Sequence, residues 1–332
     1  MVDKMSVNDN YIIVTHTDMD GVGSAALYIY LHNKPPEKIY FTEPYLLYKT
    51  LKKIVGSDYA VKNIALMDLG MNKNTMDKII EYIRILRGKN IDIEWFDHHV
   101  WDEDWINKLK ELGVKIYIDR STCAVGVVAK YARQYGNNVD EDFVSELVRG
   151  VCAGDLWRFD HWRGPWYLRL IRRHDDPEWR LKVLEKISRG VLWDEEFTAK
   201  VVERFEKELY GYKMVDDTIL TREINDIRIA VVLQNKSIEN SFTASYTMGR
   251  TNADIVAVVS KDGKVSLRSR NINIRNLALA FGGGGHSRAA GFKIKIPLII
   301  RLKSFFSNNA IQEYIMLKLV EKIRDIGIER IG

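Results

Sequence analysis

Between residue 11 and about residue 155 the chain alternates short β-prone runs with helical patterns, and this alternation constrains the fold more than any single motif. Strands are expected at 11–15, 38–41, 61–67, 91–96 and 114–118, and helices at 22–31, 74–86, 121–135 and 141–153. Ser121-Thr122 resembles a helix N-cap and Gly136 a C-terminal stop. Strands that alternate with helices argue for an α/β fold with a mostly parallel sheet. Open sheets of that kind hold their ligands just beyond the carboxyl ends of the strands.

Those strand ends are where the chemistry-bearing residues fall. The run Ile91 to Phe96 closes on Asp97-His98-His99, which sets a hard oxygen donor beside borderline nitrogen donors, a mixture suited to Mn²⁺, Zn²⁺ or Mg²⁺. The first run is followed by His16-Thr17-Asp18-Met19-Asp20-Gly21, and on an extended segment His16, Asp18 and Asp20 would share one face. The run Ile64 to Met67 ends in Asp68, and Asp155 follows the apolar stretch Leu147 to Ala153. His16, Asp18, Asp20, Asp68, His98 and Asp155 together suffice for two metals that share one bridging carboxylate. Asp119 also ends a strand and reads as a cap of the next helix.

With 332 residues, two domains are the natural expectation. The expected division is a metal-binding domain over 1–193, a helical connector over 194–215 and a second domain over 216–332. No apolar run approaches the ~20 residues of a membrane span, and Met1-Val2-Asp3-Lys4 lacks a signal-peptide pattern. Cys123 and Cys152 read as reduced core residues of a cytoplasmic protein. Few prolines and many Lys, Arg, Glu, Ile and Tyr hint at a thermophilic source. The net charge of +5 is uneven: 18 basic and 11 acidic residues lie from Asp216 onward, which leaves the first 215 residues near −2. An acidic half beside a basic half suits a phosphate-bearing substrate.

The basic half carries a second constellation. Arg268 sits in the β run from Lys264, and Gly282-Gly283-Gly284-Gly285-His286 follows, ahead of an expected small-residue helix start at Ala289-Ala290. Consecutive glycines leave backbone N–H groups open to an anion, and Arg268 and His286 could add charge-assisted hydrogen bonds. Further β runs are expected at Ile227 to Leu233 and Ile255 to Val259, with helices at 302–306 and 311–323. Between the halves, residues 156–193 interleave five tryptophans with arginines. That zone reads either as a packed helical subdomain, which is favoured, or as a base-stacking platform.

In order and spacing these motifs resemble the DHH phosphoesterase family with its C-terminal DHH-associated domain, over nearly the whole chain. His16-Thr17-Asp18-Met19-Asp20 is similar to the family's first motif, Asp68 to its second, Asp97-His98-His99 to its third and Asp155 to its fourth. The run Gly282 to Gly285 with His286 is similar to the signature of the associated domain, and the branch resembled is that of nanoRNases. The resemblance implies a parallel-sheet domain and a smaller α/β domain with the active site in the cleft between them. It implies two divalent cations, Mn²⁺ foremost and Mg²⁺ next. One would be held by His16, Asp18 and Asp68, the other by Asp20, Asp68, His98 and Asp155. His99 would face the scissile phosphate, Asp97 would support a histidine, and Arg268, Gly283, Gly284, Gly285 and His286 would grip the substrate. The implied activity is hydrolysis of short single-stranded RNA or DNA oligonucleotides to nucleoside monophosphates. Alternatives are a 3′-phosphoadenosine 5′-phosphate phosphatase, a cyclic mono- or dinucleotide phosphodiesterase, and a non-catalytic nucleic-acid-binding scaffold. No membrane contact is expected, and a homodimer is compatible with the family.

Overall fold

The computed structural model describes residues 10–135, 139–307 and 309–331, so the expected helix stop at Gly136 lies outside the described residues. The chain divides into two compact units, Met1–Thr198 and Ala199–Gly332.

The first unit runs β1 (Tyr11–Thr15), α1 (Met19–His32), β2 (Lys38–Phe41), α2 (Leu47–Val55), β3 (Asn63–Met67), α3 (Met76–Gly88), β4 (Asp92–Asp97), α4 (Glu103–Glu111), β5 (Lys115–Ile118), α5 (Ala124–Tyr131), α6 (Glu141–Asp155), α7 (Arg163–Leu170) and α8 (Pro177–Ser188). Its five strands form one parallel sheet in the order β2-β1-β3-β4-β5. Period-2 alternation sorts the side chains onto two faces. Ile12, Val14, Ile64, Leu66, Ile93 and Trp95 pack with Leu47, Leu51, Ile79 and Ile83 of α2 and α3. Ile13, Ala65 and Phe96 point the other way and are equally buried. Both faces are therefore covered, as a doubly wound sheet requires, and in this strand order the topological switch point falls between β1 and β3.

Helix α9 (Glu195–Asp216) leads into the second unit, which contains β6 (Leu220–Ile224), β7 (Ile227–Leu233), α10 (Asn240–Thr251), β8 (Ile255–Val259), β9 (Lys264–Ser269), α11 (Arg275–Ala280), β10 (Gly284–Gly285), β11 (Ala289–Lys293), α12 (Leu298–Lys303) and α13 (Ala310–Ile326). Its sheet is mixed, in the order β10-β11-β9-β8-β7-β6, with β7 and β8 parallel and the other pairs antiparallel. The architecture is thus α/β throughout. None of the helices among the described residues is long and apolar enough to cross a membrane.

Several expectations are corrected. The segment after β1 is not extended, because Asp18 caps α1 by accepting from the Gly21 amide at 3.1 Å and Asp20 enters the first helical turn. Ala289-Ala290 opens a strand, not a helix, since their backbone pairs with β9 (Ala290 opposite Leu267). Ser121-Thr122 does not cap α5. Asp119 does not cap that helix either; it accepts from the Ser121 amide and hydroxyl and from Lys130. Cys123 and Cys152 are not reduced thiols: they form a disulfide between the start of α5 and α6.

The tryptophan- and arginine-rich stretch is mostly packed. Trp157 is buried, the Trp179 indole N–H donates to the Leu170 carbonyl, and Trp193 stacks edge-on with Phe197. Trp162 is exposed and carries the Arg163 guanidinium 4.6 Å above its ring.

Candidate metal centre

Six of the singled-out side chains converge at the switch point. His16 leaves the end of β1, Asp18 caps α1, Asp20 lies in its first turn, Asp68 follows β3, His98 follows β4, and Asp155 ends α6. They fall into two groups around Asp68. On one side, His16 Nδ1 lies 2.8 Å from Asp18 Oδ2 and 3.3 Å from Asp68 Oδ2. On the other, His98 Nε2 lies 3.5 Å from Asp68 Oδ1 and 3.6 Å from both Asp20 Oδ2 and Asp155 Oδ2. Asp68 therefore offers one oxygen to each group. Its backbone is left-handed, with φ 54°, a conformation that aspartate tolerates better than most residues and that clusters at functional sites.

Asp20 is held from behind. Its Oδ2 accepts from the Ala124 amide at 2.7 Å and its Oδ1 from the Val125 amide at 2.9 Å, so a carboxylate sits on the unpaired N–H groups that open α5. Asp97 is fully buried between His99, whose Nδ1 is 2.8 Å from Oδ1, and Trp101, whose indole N–H donates to Oδ2 at 2.5 Å. Gly70 makes room for His99: a Cβ there would lie 2.9 Å from the imidazole Cγ.

The charges of this cluster call for a cation. Burial, with Asp68 and Asp155 close by, raises the Asp20 carboxyl well above its ordinary range. Burial likewise pushes Asp155 up to about 6, against the pull of His98. For His98, burial would lower the imidazole, but the hydrogen bond to Asp68 and the charges of Asp155 and Asp20 push it up to about 11. Burial would also lower His16, yet Asp18, Asp68 and Glu43 hold it well above its usual value. In addition, His16 Nε2 and Asp155 Oδ2 are buried with no hydrogen-bond partner. Oxygen-rich donors with two imidazoles, partly unsatisfied and forced to share protons, fit a pair of hard or borderline divalent cations.

Cation uptake should then release protons. Raised His98 and Asp155 groups stabilise the metal-free fold at low pH. The His98 contribution is complete below its unfolded value of 6.5 and is lost as pH rises through about 11. The Asp155 contribution is complete below 3.8 and is lost through about 6. The increase in Tm on adding a divalent cation is expected to grow from about pH 5 to about pH 8. A shift that is flat or shrinking over that range would contradict the reading.

In the second unit, Arg268 lies on β9 opposite Ala289 and its guanidinium donates to Ser266 Oγ, the Leu267 carbonyl and Ser241 Oγ. Gly284 and Gly285 pair with Gly291 and Ala290, which puts Arg268 and the glycine run on either side of β11. The glycines of the run differ in what surrounds them. A Cβ on Gly283 would lie 2.1 Å from the Gly291 carbonyl oxygen, so that position is dictated by the neighbouring strand, whereas Gly284 faces open space.

Two site neighbours escaped the sequence reading. Glu43 stands two residues past β2 and contacts His16 at 3.5 Å, and Trp101 supports Asp97. Glu43 carries the same signal that singled out Asp68, a carboxylate just beyond a strand end.

The N-terminal domain of the DHH family matches residues 10–154, and the DHHA1 domain matches residues 228–311. The chain belongs to the DHH family. Among curated proteins it is 23% identical to a 3′,5′-cyclic-nucleotide phosphodiesterase of Helicobacter pylori over 294 residues, which covers 75% of this chain and 81% of that one. It is 22% identical to the oligoribonuclease NrnB of Bacillus subtilis over 296 residues, 86% of this chain and 73% of that one. Among solved structures, the pGpG-specific phosphodiesterase PggH of Vibrio cholerae has the same fold, with a TM-score of 0.56 at 15% identity, covering 96% of this chain and 100% of that one. This DHH protein is a phosphoric-ester hydrolase.

Proposed function

We propose that this DHH protein is a Mn²⁺-dependent phosphodiesterase that trims short oligonucleotides to nucleoside monophosphates. The observation that carries the reading is the Asp68 carboxylate, with Oδ2 toward His16 and Asp18 and Oδ1 toward His98, Asp20 and Asp155. His16, Asp18 and Asp68 would hold one cation, and Asp20, Asp68, His98 and Asp155 the other. Bound there, the two ions would supply Lewis-acid charge for the phosphoryl oxygens and acidify the attacking water. Mn²⁺ suits the mixed carboxylate and imidazole donors, and Mg²⁺ is the runner-up.

The chain's own groups do the rest. Asp97 steadies His99 through Nδ1 and, outweighing burial, raises the imidazole above its ordinary value. His99 thereby acts as a hydrogen-bond donor to the phosphate or a proton donor to the leaving oxygen. In the second unit Arg268, Gly284, Gly285 and His286 would grip the terminal phosphate or sugar of the substrate, with Gly284 facing open space, whereas the Gly283 amide is already donated to the Ala278 carbonyl. Similarity to NrnB supports short oligoribonucleotides, and similarity to the Helicobacter enzyme supports a second reading, cyclic-nucleotide hydrolysis. A cytoplasmic setting goes with either substrate class. The Cys123–Cys152 bond then belongs with the thermophile-like composition, since intracellular disulfides are frequent in hyperthermophiles.

Side-by-side digestion of diribonucleotides, longer end-labelled RNA, 3′-phosphoadenosine 5′-phosphate, and cyclic mono- and dinucleotides with Mn²⁺ tests this. The expected result is the fastest turnover on two- to five-residue oligonucleotides, with mononucleotide products. Preferential cleavage of a cyclic substrate would transfer the assignment to the second reading.

A further inference from the structure

We propose that Glu43, clamped by Arg173, is a positioning residue that sets how His16 presents itself to the metal centre. The proposal rests on the metal reading above. His16 Nδ1 points at Asp18 and Asp68, 2.8 and 3.3 Å away, so this is the nitrogen available to a cation. Ligation through Nδ1 places the ring proton on Nε2. That atom is buried and lacks a hydrogen bond at the observed separation, and the carboxylate facing it is Glu43 Oε2 at 3.5 Å. A buried N–H needs an acceptor, and a carboxylate behind a ligating imidazole both fixes the tautomer and raises its basicity.

Glu43 is itself held on several sides. Its Oε1 accepts from the Thr17 hydroxyl at 2.7 Å and from Arg173 Nε at 3.0 Å, and its Oε2 pairs with Arg173 Nη2. This is the two-pronged grip that a planar guanidinium makes on a carboxylate and that lysine cannot copy. Arg173 lies in the turn between α7 and α8, and buried Arg180 braces that turn. Arg180 donates to the carbonyls of Asp175 and Arg173, and its Nε donates to the Thr17 carbonyl at 2.7 Å, one residue past His16. Part of the arginine-rich stretch thus braces the back of the His16 side of the centre.

The test is Mn²⁺ titration of Glu43→Gln by calorimetry, with bound Mn²⁺ counted by electron paramagnetic resonance. The substitution keeps the side-chain shape and removes the charge. One of two sites is expected to weaken by about 10- to 100-fold, with the second site unchanged. Arg173→Lys should weaken the same site by less. Glu146→Gln, which removes an acid paired with Arg163 elsewhere in the first unit, should leave both sites intact. Wild-type affinity at both sites in Glu43→Gln overturns the proposal. If that variant does not fold, wild-type affinity in Arg173→Lys overturns it. Failure of the wild-type protein to bind any divalent cation would instead sink the metal reading and this proposal with it.

Discussion

Asp68→Asn is expected to abolish phosphodiester hydrolysis while the protein stays folded. The bridging role asks both Asp68 oxygens to carry charge, one toward His16 and one toward His98, and an amide supplies one neutral oxygen. Removing that bridge forfeits several kcal/mol of transition-state stabilisation, so kcat/KM on a diribonucleotide should fall by at least about 10³-fold. Bound Mn²⁺ should drop below two per chain. Asparagine is a better probe than alanine because the residue sits at φ 54°, where asparagine is tolerated and alanine pays about 1–3 kcal/mol of strain. Asp68→Ala should therefore be equally inactive but melt earlier than Asp68→Asn. Mn²⁺-dependent turnover near the wild-type rate in folded Asp68→Asn would refute the two-cation assignment.

The backbone of that site was legible because its signal is local. β1 and β2 begin and end where the apolar runs do, and each candidate ligand lies within a few residues of an element boundary that turn chemistry and capping reveal. Helices α2 and α4 were not anticipated. Each is only nine residues long, too short to hold a helix alone before the sheet supplies a surface for its apolar stripe, Leu47, Leu51 and Ile54 in α2 and Leu109 in α4. The glycine run misled for a similar reason: Ala289-Ala290-Gly291 has no strand propensity of its own, and pairing with β9 imposes the strand. Glu43 and Trp101 show a third limit. Each matters through a partner, His16 or Asp97, that only the folded chain brings near.

The cysteine pair shows this limit most sharply, and it yields the second large expectation. Two cysteines in apolar context say nothing of each other until α5 and α6 lie side by side. Their separation of 29 residues makes the bond a substantial constraint on the unfolded chain. By loop entropy it is worth about 3.5 kcal/mol, so Cys123→Ala/Cys152→Ala, or reduction by a dithiol, should lower Tm by roughly 7–14 °C for a unit of this size. Two titratable thiols in the native protein, or an unchanged Tm after reduction, would show that the bond contributes nothing. The loss should also depend on metal. Cys123 immediately precedes the Ala124 and Val125 amides that hold Asp20, and Cys152 lies three residues before Asp155 on the same helix. Both carboxylates would ligate the same cation, Asp20 from α1 with its oxygens held by the α5 amides and Asp155 from the end of α6, so that cation would depend on how α5 and α6 sit together. Breaking the disulfide would loosen that arrangement, so Mn²⁺ should bind more weakly and, by linkage, the loss of Tm should be larger in saturating Mn²⁺ than in chelator. A disulfide whose removal costs the same with and without Mn²⁺ would mean that the disulfide and the cation act on α5 and α6 independently.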